Sequence, residues 1–383
     1  MTFLILLIAA IPFVYYLIAI WSSWRFFSDR ELRNPNPASF TPPVSCLKPV
    51  KGTDPDAYEN FASFCRQDYP DYELLFCVDS EATPVLEVLE QLKRDFPERA
   101  IRVLFGSGRM AANDKAAKLA RLVSEARHEV LVISDSDVRA RPDYLKTVVA
   151  PLGNPEIGAV TLPYLSIEDK TFADRLQSVG MLSDFYAGIL VAKQLDGVKF
   201  AIGPTIATTR SQLARFGGYE AIENRPGDDL LIGRSIAEQG YRVELLPYTI
   251  DTVADFGSLA ELWHKRLRWL VVMRYMRPAG HLGLLLTQGL FWSVVAAIVA
   301  PSMALATAYL SLYLALRIVM TMVIGSYGFK LPATWRDSLL IPVWDAMAFL
   351  LWLASFTRRS VRWRGNDYYI REGQLVPVVS LEE

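Results

Sequence analysis

The distribution of apolar and polar residues divides the chain into three regions. The first 24 residues contain no charged side chain, and about 20 such residues are enough to cross a bilayer. From position 44 to about 256, short apolar runs alternate with segments whose apolar residues recur every three or four positions. Beyond position 279 the chain is mostly apolar again up to 357. These patterns predict a globular domain flanked by membrane segments.

The central region has the alternation that is typical of an α/β domain. The apolar runs that predict buried strands are VSCLKPV, YELLFCVD, IRVLFG, EVLVISD, IGAVTLPY and YRVELLPYTI. Stretches such as ATPVLEVLEQLKRDF and AAKLARLVSEAR predict helices between them. Such alternation forms a mainly parallel sheet covered on both faces, and ligands bind at the carboxyl ends of its strands.

Changes in composition set the expected boundaries. We predict a transmembrane anchor at 1–24, a linker rich in Pro and Asn at 25–43, the globular domain at 44–256, an amphipathic helix at 257–278, two or three membrane helices at 279–357 and a basic tail at 358–383. Basic residues alternate with Trp and Leu in the 257–278 segment. That mixture favours a helix in the membrane interface over a basic helix on the soluble domain.

Positive charges predict the orientation in the membrane. Arg25, Arg30 and Arg33 follow the first span, which places the globular domain in the cytoplasm. The arginines of the tail favour the cytoplasmic side as well, whereas three full C-terminal spans would put the tail outside. One of the three segments is therefore expected to be re-entrant or interfacial.

Composition excludes several classes of site. The net charge of −1 gives no reason to expect a nucleic-acid partner. The three cysteines have no CxxC spacing, so they predict free thiols in a reducing compartment. Three histidines are too few for a His-rich metal centre.

The motif SDSD places Asp135 and Asp137 at the end of a strand predicted to be buried. Two ionised carboxylates so close together repel each other, and burial beside an apolar core adds a desolvation cost. A bound Mg²⁺ or Mn²⁺ would offset the repulsion and neutralise a phosphate leaving group. The sequence therefore predicts a metal site here, although such a triplet also occurs by chance in loops.

Other polar residues have both a structural and a chemical interpretation. Asp79 ends another predicted strand, where it could accept a hydrogen bond from a base or simply form a turn. Lys48 and Lys115 could meet phosphate or ribose, or be solvated charges. Asp228 and Asp229 begin a predicted helix. They could stabilise the helix N-terminus with their negative charge, or one of them could act as a general base. The cations of KRLRW, at positions 265–269, could clamp a diphosphate.

The order of LKPVKG, Asp79, NDK, SDSD, GDD and KRLRW resembles the inverting, metal-dependent nucleotide-sugar transferases of the GT-A fold. Within them it is most similar to the ceramide glucosyltransferase family, which includes hopanoid-associated bacterial enzymes. The resemblance covers about residues 44–275. It implies an α/β, Rossmann-like GT-A catalytic domain with transmembrane helices at both ends.

The resemblance also implies roles by position. Asp79 would hold uridine, Asp135 and Asp137 the metal and diphosphate, and Asp229 would be the catalytic base beside Asp228. The nucleotide-sugar site would further include Lys48, Lys115, Lys265, Arg268 and Trp269. Lys265 stands where the family has Gln or Arg, which keeps the charge of Arg but loses its planar fork.

The predicted function is transfer of a hexose such as glucose from a UDP-sugar to a lipid hydroxyl, as in ceramide glucosyltransferase, by a multi-pass membrane enzyme. The alternatives are transfer of an N-acetylhexosamine to a hopanoid polyol, processive polysaccharide synthesis, and a non-catalytic membrane scaffold. The spans are few for a polysaccharide channel. The joint presence of the aspartates and of Arg268 and Trp269 argues against a scaffold.

Overall fold

The computed structural model describes residues 1–29, 32, 40–253, 256–332, 334–363 and 366–378. Arg30, Arg33 and residues 34–39 of the predicted linker lie outside the described residues. Within them, three helices are long and apolar enough to cross a membrane, at 2–28, 303–328 and 338–357, and a pair bent by 50° covers 278–299. Apolar segments thus flank the globular domain at both ends, as the sequence predicted.

A seven-stranded sheet forms the centre of the globular domain, in the order β3-β2-β1-β4-β8-β6-β9. All neighbours in it are parallel except β8, which is antiparallel to both β4 and β6. The strands of this sheet are β1 Val44–Pro49, β2 Tyr72–Val78, β3 Ala100–Phe105, β4 Val130–Ile133, β6 Ile157–Thr161, β8 Ile206–Thr209 and β9 Arg242–Leu245. A small sheet beside it contains β5 Val138–Arg139, β7 Tyr164–Ser166 and β10 Ile250–Thr252.

Helices cover both faces of the sheet and form the apolar segments before and after it. The helices of the globular domain are α3 Ala57–Cys65, α4 Val85–Asp95, α5 Asp114–Glu125, α6 Tyr144–Val149, α7 Phe172–Gly180, α8 Tyr186–Asp196, α9 Arg210–Ala214 and α10 Asp228–Glu238. Those before and after it are α1 Thr2–Ala9, α2 Ile11–Ser28, α11 Leu259–Met276, α12 Pro278–Gly283, α13 Gly289–Val299, α14 Met303–Met322, α15 Thr334–Asp337 and α16 Ile341–Thr357. The central strands are apolar on both sides because both faces are covered.

The helices α2 and α14 run antiparallel along each other. Near one end the Tyr309 hydroxyl donates to the carbonyl of Leu6 at 2.8 Å. Near the other end the rings of Phe27 and Phe329 lie 5.0 Å apart. The hydroxyl of Tyr16, about halfway along the apolar segment 2–28, accepts from the N–H of Gly289 at 3.0 Å. The start of α13 is therefore level with the middle of that segment.

The last apolar helix, α16, lies along α11 in the same direction. Leu262 shares an apolar cluster with Ile341, Val271 shares one with Leu351, and Arg274 bonds the carbonyl of Ser355 near the end of both helices. The tail then forms a three-stranded antiparallel sheet, of strands β11 Ser360–Trp363, β12 Asn366–Arg371 and β13 Gln374–Pro377. It contacts the globular domain directly, since the N–H of Leu375 donates to the carbonyl of Asn224 at 2.7 Å.

Candidate active site

The two SDSD carboxylates lie just beyond β4, at the carboxyl edge of the parallel strands. Lys48, at the end of the neighbouring β1, is 0% exposed and donates to the carbonyl oxygen of Asp135 at 2.9 Å. Burial lowers the pKa of Lys48 to about 7. The structure therefore places Lys48 beneath the loop, where it fixes the backbone at Asp135.

A cation already accompanies one of the carboxylates. Lys115, in the first turn of α5, lies with its Nζ 2.5 Å from Asp135 Oδ1 and 3.8 Å from Asp228 Oδ2. Burial opposes its charge, but the carboxylates of Asp135 and Asp228 outweigh burial and raise the pKa of Lys115. Lys115 thus offsets the negative charge of Asp135, whereas Asp137 has no hydrogen-bonded cation among the described residues.

Asp79 follows β2 at the same edge of the sheet. It pairs with Lys118, which is 1% exposed and also donates to the carbonyl of Val50 at 2.8 Å. Lys118 was not among the residues predicted from the sequence. The available signal was a Lys on the apolar face of α5, between Ala117 and Leu119, where a buried charge requires partners.

The acidic pair of the GDD motif begins α10 and faces the SDSD loop. Asp228 is 6% exposed, and its Oδ1 accepts from Asn113 Nδ2 at 3.3 Å. A Cβ added at Gly203 would lie 3.2 Å from Asp229 Oδ2 and 3.7 Å from Asp135 Oδ2. The structure therefore brings Asp135 and Asp229, which are distant in the sequence, to opposite sides of one small space.

Two of these carboxylates hold protons more strongly than usual. Burial, and then the charges of Asp135 and Asp54, raise the pKa of Asp137 to about 6, while Lys265 and Lys115 lower it. Burial and the charge of Asp228 raise the pKa of Asp229 to about 6, against the lowering effect of Lys115. A carboxyl group with a pKa near neutrality is a competent general base.

The predicted clamp lies on α11. Lys265 Nζ is 4.6 Å from the ring of Phe256, and its charge acts on Asp137. The ring of Trp269 packs 6.1 Å from that of Phe185. Arg268 is on the same helix, one residue before Trp269. The structure thus brings Lys265 towards the SDSD loop and places Trp269 against the globular domain.

The donor set suits a metal shared with a substrate. Within the described residues, no three His, Cys, Asp or Glu side chains form a group that could hold a metal by themselves. Asp135 and Asp137 offer a pair, and the buried Oδ2 of Asp54, overlooked in the sequence, has no hydrogen-bond partner there. Mg²⁺ usually takes one or two carboxylates and completes its shell with water and substrate phosphates, so these residues fit such an ion.

Gly203→Ala is expected to lower the catalytic activity of this site by about 10-fold or more, because the added methyl group enters the space between Asp135 and Asp229. Its φ is not positive, so Ala fits the backbone. Steady-state kinetics would measure the loss. Gly283→Ala is the control, since no heavy atom lies within 4 Å of its added Cβ. Equal activity of the two variants would contradict the proposed geometry.

The mainly parallel sheet, with aspartates at the carboxyl edge of its strands, is typical of the GT-A glycosyltransferase fold. A mannosyltransferase from Pyrobaculum calidifontis, solved with GDP-mannose and Mn²⁺, superposes with a TM-score of 0.58 at 19% identity, covering 92% of this chain and 99% of that one. The fold class predicted from the sequence is therefore confirmed.

The chain belongs to glycosyl transferase family 21, whose family model matches residues 4–376. Ceramide glucosyltransferase 1 of Caenorhabditis elegans is 23% identical over 273 residues, 71% of this chain and 57% of that protein. The ceramide glucosyltransferase of Komagataella phaffii is 30% identical over 141 residues, 34% of this chain and 28% of that protein. A beta-monoglucosyldiacylglycerol synthase of Synechocystis is 26% identical over 212 residues, 54% of this chain and 42% of that protein. The chain therefore spans 28–57% of the length of these relatives.

Proposed function

We propose that this protein is a membrane-bound, inverting glycosyltransferase that moves glucose from UDP-glucose to the hydroxyl group of a ceramide-type lipid. The observation that carries the proposal is the convergence of Asp135 and Asp229 on one space, next to Asp137, on which the charge of Lys265 of α11 acts. Membership of the family and the names of its relatives support the lipid acceptor.

In the proposed reaction Asp79 and Lys118 bind the uridine side of the donor. Asp135 and Asp137 would hold a divalent metal, which would supply positive charge to the diphosphate leaving group. Lys265, Arg268 and Trp269 close over the diphosphate from α11. Lys115 keeps Asp135 and Asp228 oriented at 2.5 and 3.8 Å.

Asp229 takes the proton of the acceptor hydroxyl as the hydroxyl oxygen attacks the anomeric carbon opposite the leaving UDP. The carbon–oxygen bond to UDP breaks as the new glycosidic bond forms, so the configuration inverts. Asn113 and Lys115 hold Asp228 in place beside Asp229, and the charge of Asp228 raises the pKa of Asp229.

The proposed topology uses three crossings. The anchor α1–α2 enters the cytoplasm, the bent segment 278–299 leaves it, and α14 returns. The helix α16 then lies in the membrane interface along α11, so that the tail returns to the cytoplasmic domain that it contacts. This arrangement places the arginines after the first span and the arginines of the tail on the cytoplasmic side, which basic residues next to membrane spans favour.

Mass spectrometry of lipids, after expression in a host without glycolipids, tests the proposed function. A new hexosylceramide is the expected product when ceramide is supplied. A hexosyldiacylglycerol would instead assign the acceptor of the Synechocystis relative, and an N-acetylhexosamine mass on a hopanoid would reject the donor. Absence of any product, with UDP-glucose and ceramide present in the membrane, would contradict the proposal.

Chelation is expected to abolish donor-dependent turnover reversibly. EDTA removes the ion that Asp135 and Asp137 hold, and added Mg²⁺ or Mn²⁺ restores activity. Release of UDP gives the measurement. Unchanged turnover in EDTA would remove the metal role from both residues and leave them as loop carboxylates.

Cysteine labelling tests the topology, because Cys46, Cys65 and Cys77 are all buried and should stay silent. We expect Pro301→Cys, in the turn between α13 and α14, to react with an impermeant maleimide on intact cells. Arg359→Cys, after α16, should react only after permeabilisation. Labelling of both on intact cells would show that α16 crosses the membrane.

A further inference from the structure

The edge strand β13 of the C-terminal sheet directs one backbone donor out of the sheet. The hairpin β12–β13 turns at Glu372 and Gly373, which both have positive φ. In such a two-residue hairpin the residues that flank the turn form a hydrogen-bonded pair, and the two kinds of pair then alternate. Leu375, the second residue of β13, therefore points its N–H away from β12. That N–H donates to the carbonyl of Asn224 at 2.7 Å, so the tail is bonded to the loop before the GDD motif.

Apolar packing holds the same strand against α11. Leu375 is 4% exposed and shares an apolar cluster with Leu267 and Val271 of α11. The next residue, Val376, lies on the opposite face of the strand and is 37% exposed. The tail is therefore anchored on the helix that carries the KRLRW motif while it bonds the loop before the acidic pair.

The loop that receives the tail, residues 223–226, leads into the acidic pair and lies against the NDK segment. The side-chain oxygen of Asn224 accepts from the N–H of Ala112 at 3.0 Å. The carbonyl of Glu223 accepts from the N–H of Asn113 at 2.8 Å. Asn224 thus has two partners at once, the tail through its carbonyl and the NDK segment through its side chain.

Asn113 extends these contacts into the active site. It is 0% exposed, and its Nδ2 donates to the carbonyl of Arg225 at 3.1 Å and to Asp228 Oδ1 at 3.3 Å. Its Oδ1 accepts from the N–H of Ala116 at 3.2 Å and so caps the start of α5, the helix that bears Lys115. Connected hydrogen bonds therefore run from the tail to the acidic pair and to the helix that supplies the active-site lysine.

We propose that the C-terminal tail is a positioning element of the active site, with Leu375 and Asn224 as its positioning residues. The proposal deepens the proposed function and rests on it. Neither residue contacts donor or acceptor in the proposed reaction. Both act by fixing the loop 223–226, and through it the orientation of Asp228 and Asp229, which affects the rate of transfer rather than donor binding. Because the tail follows α16 and packs on α11, it couples the packing of these two helices to the acidic pair.

Leu375→Ala tests the docking of the tail, with Val376→Ala as the matched control on the same strand. The first change removes apolar surface buried against α11, and the second removes exposed surface. In nanodiscs we expect Leu375→Ala to speed deuterium exchange of the amides of residues 223–230 about 10-fold and to lower kcat for glucose transfer about 10-fold. The Kd for UDP-glucose should stay unchanged, which shows that the domain is folded. Val376→Ala should match the unmodified protein in all three measurements.

Asn224→Ala and Asn224→Asp separate positioning from a general loss of stability. Ala removes the acceptor of the Ala112 N–H, whereas Asp keeps an oxygen at that place. We expect kcat to fall about 10-fold in Asn224→Ala and to return to near the normal value in Asn224→Asp. The KM for UDP-glucose should stay unchanged in both variants.

The inference is overturned if Leu375→Ala exchanges these amides no faster than Val376→Ala does, or if it exchanges them faster and keeps the normal kcat. Equal losses of kcat in Asn224→Ala and Asn224→Asp would also overturn it. If the unmodified protein transfers no glucose, the proposed function fails. The positioning of the loop by the tail is then decided by the exchange rates alone.

Discussion

Asp229→Asn is expected to lower glucose transfer by about 10²–10⁴-fold, the usual contribution of general-base catalysis. The amide keeps the shape of the carboxylate and can still accept the N–H of Leu230, which donates to Asp229 Oδ1 at 2.8 Å. It cannot take a proton from the acceptor hydroxyl. Binding of UDP-glucose should therefore stay nearly normal. Single-turnover transfer and calorimetric binding of the donor measure the two effects separately.

Asp228→Asn is the matched comparison on the adjacent residue. Its carboxylate accepts from Asn113 and lies near Lys115, so it acts on the orientation of the site and its loss should cost less. If Asp228→Asn is inactive while Asp229→Asn keeps near-normal transfer, the two roles are exchanged. If both variants stay active, the base is elsewhere.

The sequence predicted the parallel core well because its central strands β1, β2 and β4 are buried on both faces and stand out as continuous apolar runs. The antiparallel strand β8, sequence IATT, was missed. It is short and half composed of Thr, and only its neighbours β4 and β6 make it a central strand. The loop before β8 contains Gly203, which lies between the carboxylates of Asp135 and Asp229. This missed strand therefore positions part of the site.

Within the site, the sequence identified residues by type and order but not their partners. Pairing of Lys115 with Asp135 joins α5 to the loop after β4, and pairing of Lys118 with Asp79 joins α5 to β2. Such contacts depend on how α5 packs on the sheet, which local patterns do not contain. The orientation of α16 along α11 is likewise a property of packing, because its apolar composition suits a crossing helix equally well.

A buried ion pair joins the apolar helices α14 and α16 to the globular domain. Arg317 of α14 donates from its Nε to Asp345 Oδ2 of α16 at 3.0 Å, and the two side chains are 4% and 6% exposed. The Tyr313 hydroxyl donates to the same Asp345 oxygen at 2.8 Å. Arg317 also donates to the carbonyl of Ser183, in the π-helical turn Met181–Phe185 of the globular domain. The pair therefore holds three separate segments together.

Removing one partner of this pair is expected to destabilise the protein strongly. Arg317→Met should lower the free energy of unfolding by about 3–5 kcal/mol, because it leaves the buried charge of Asp345 uncompensated. Thermal denaturation in nanodiscs gives the measurement. The double variant Arg317→Met with Asp345→Leu should recover much of the loss, since a well-packed apolar pair can replace a buried ion pair.

Arg175→Met provides the matched control for that loss. Arg175 pairs with Asp337 at 2.7 Å, but the side chains are 48% and 33% exposed, and exposed ion pairs contribute about 0–1 kcal/mol. Its unfolding should therefore change little. If Arg317→Met is no less stable than Arg175→Met, water or lipid headgroups reach the buried pair. In that case the pair contributes no more than an exposed one, and other contacts hold the π-helical turn Met181–Phe185 to α14 and α16.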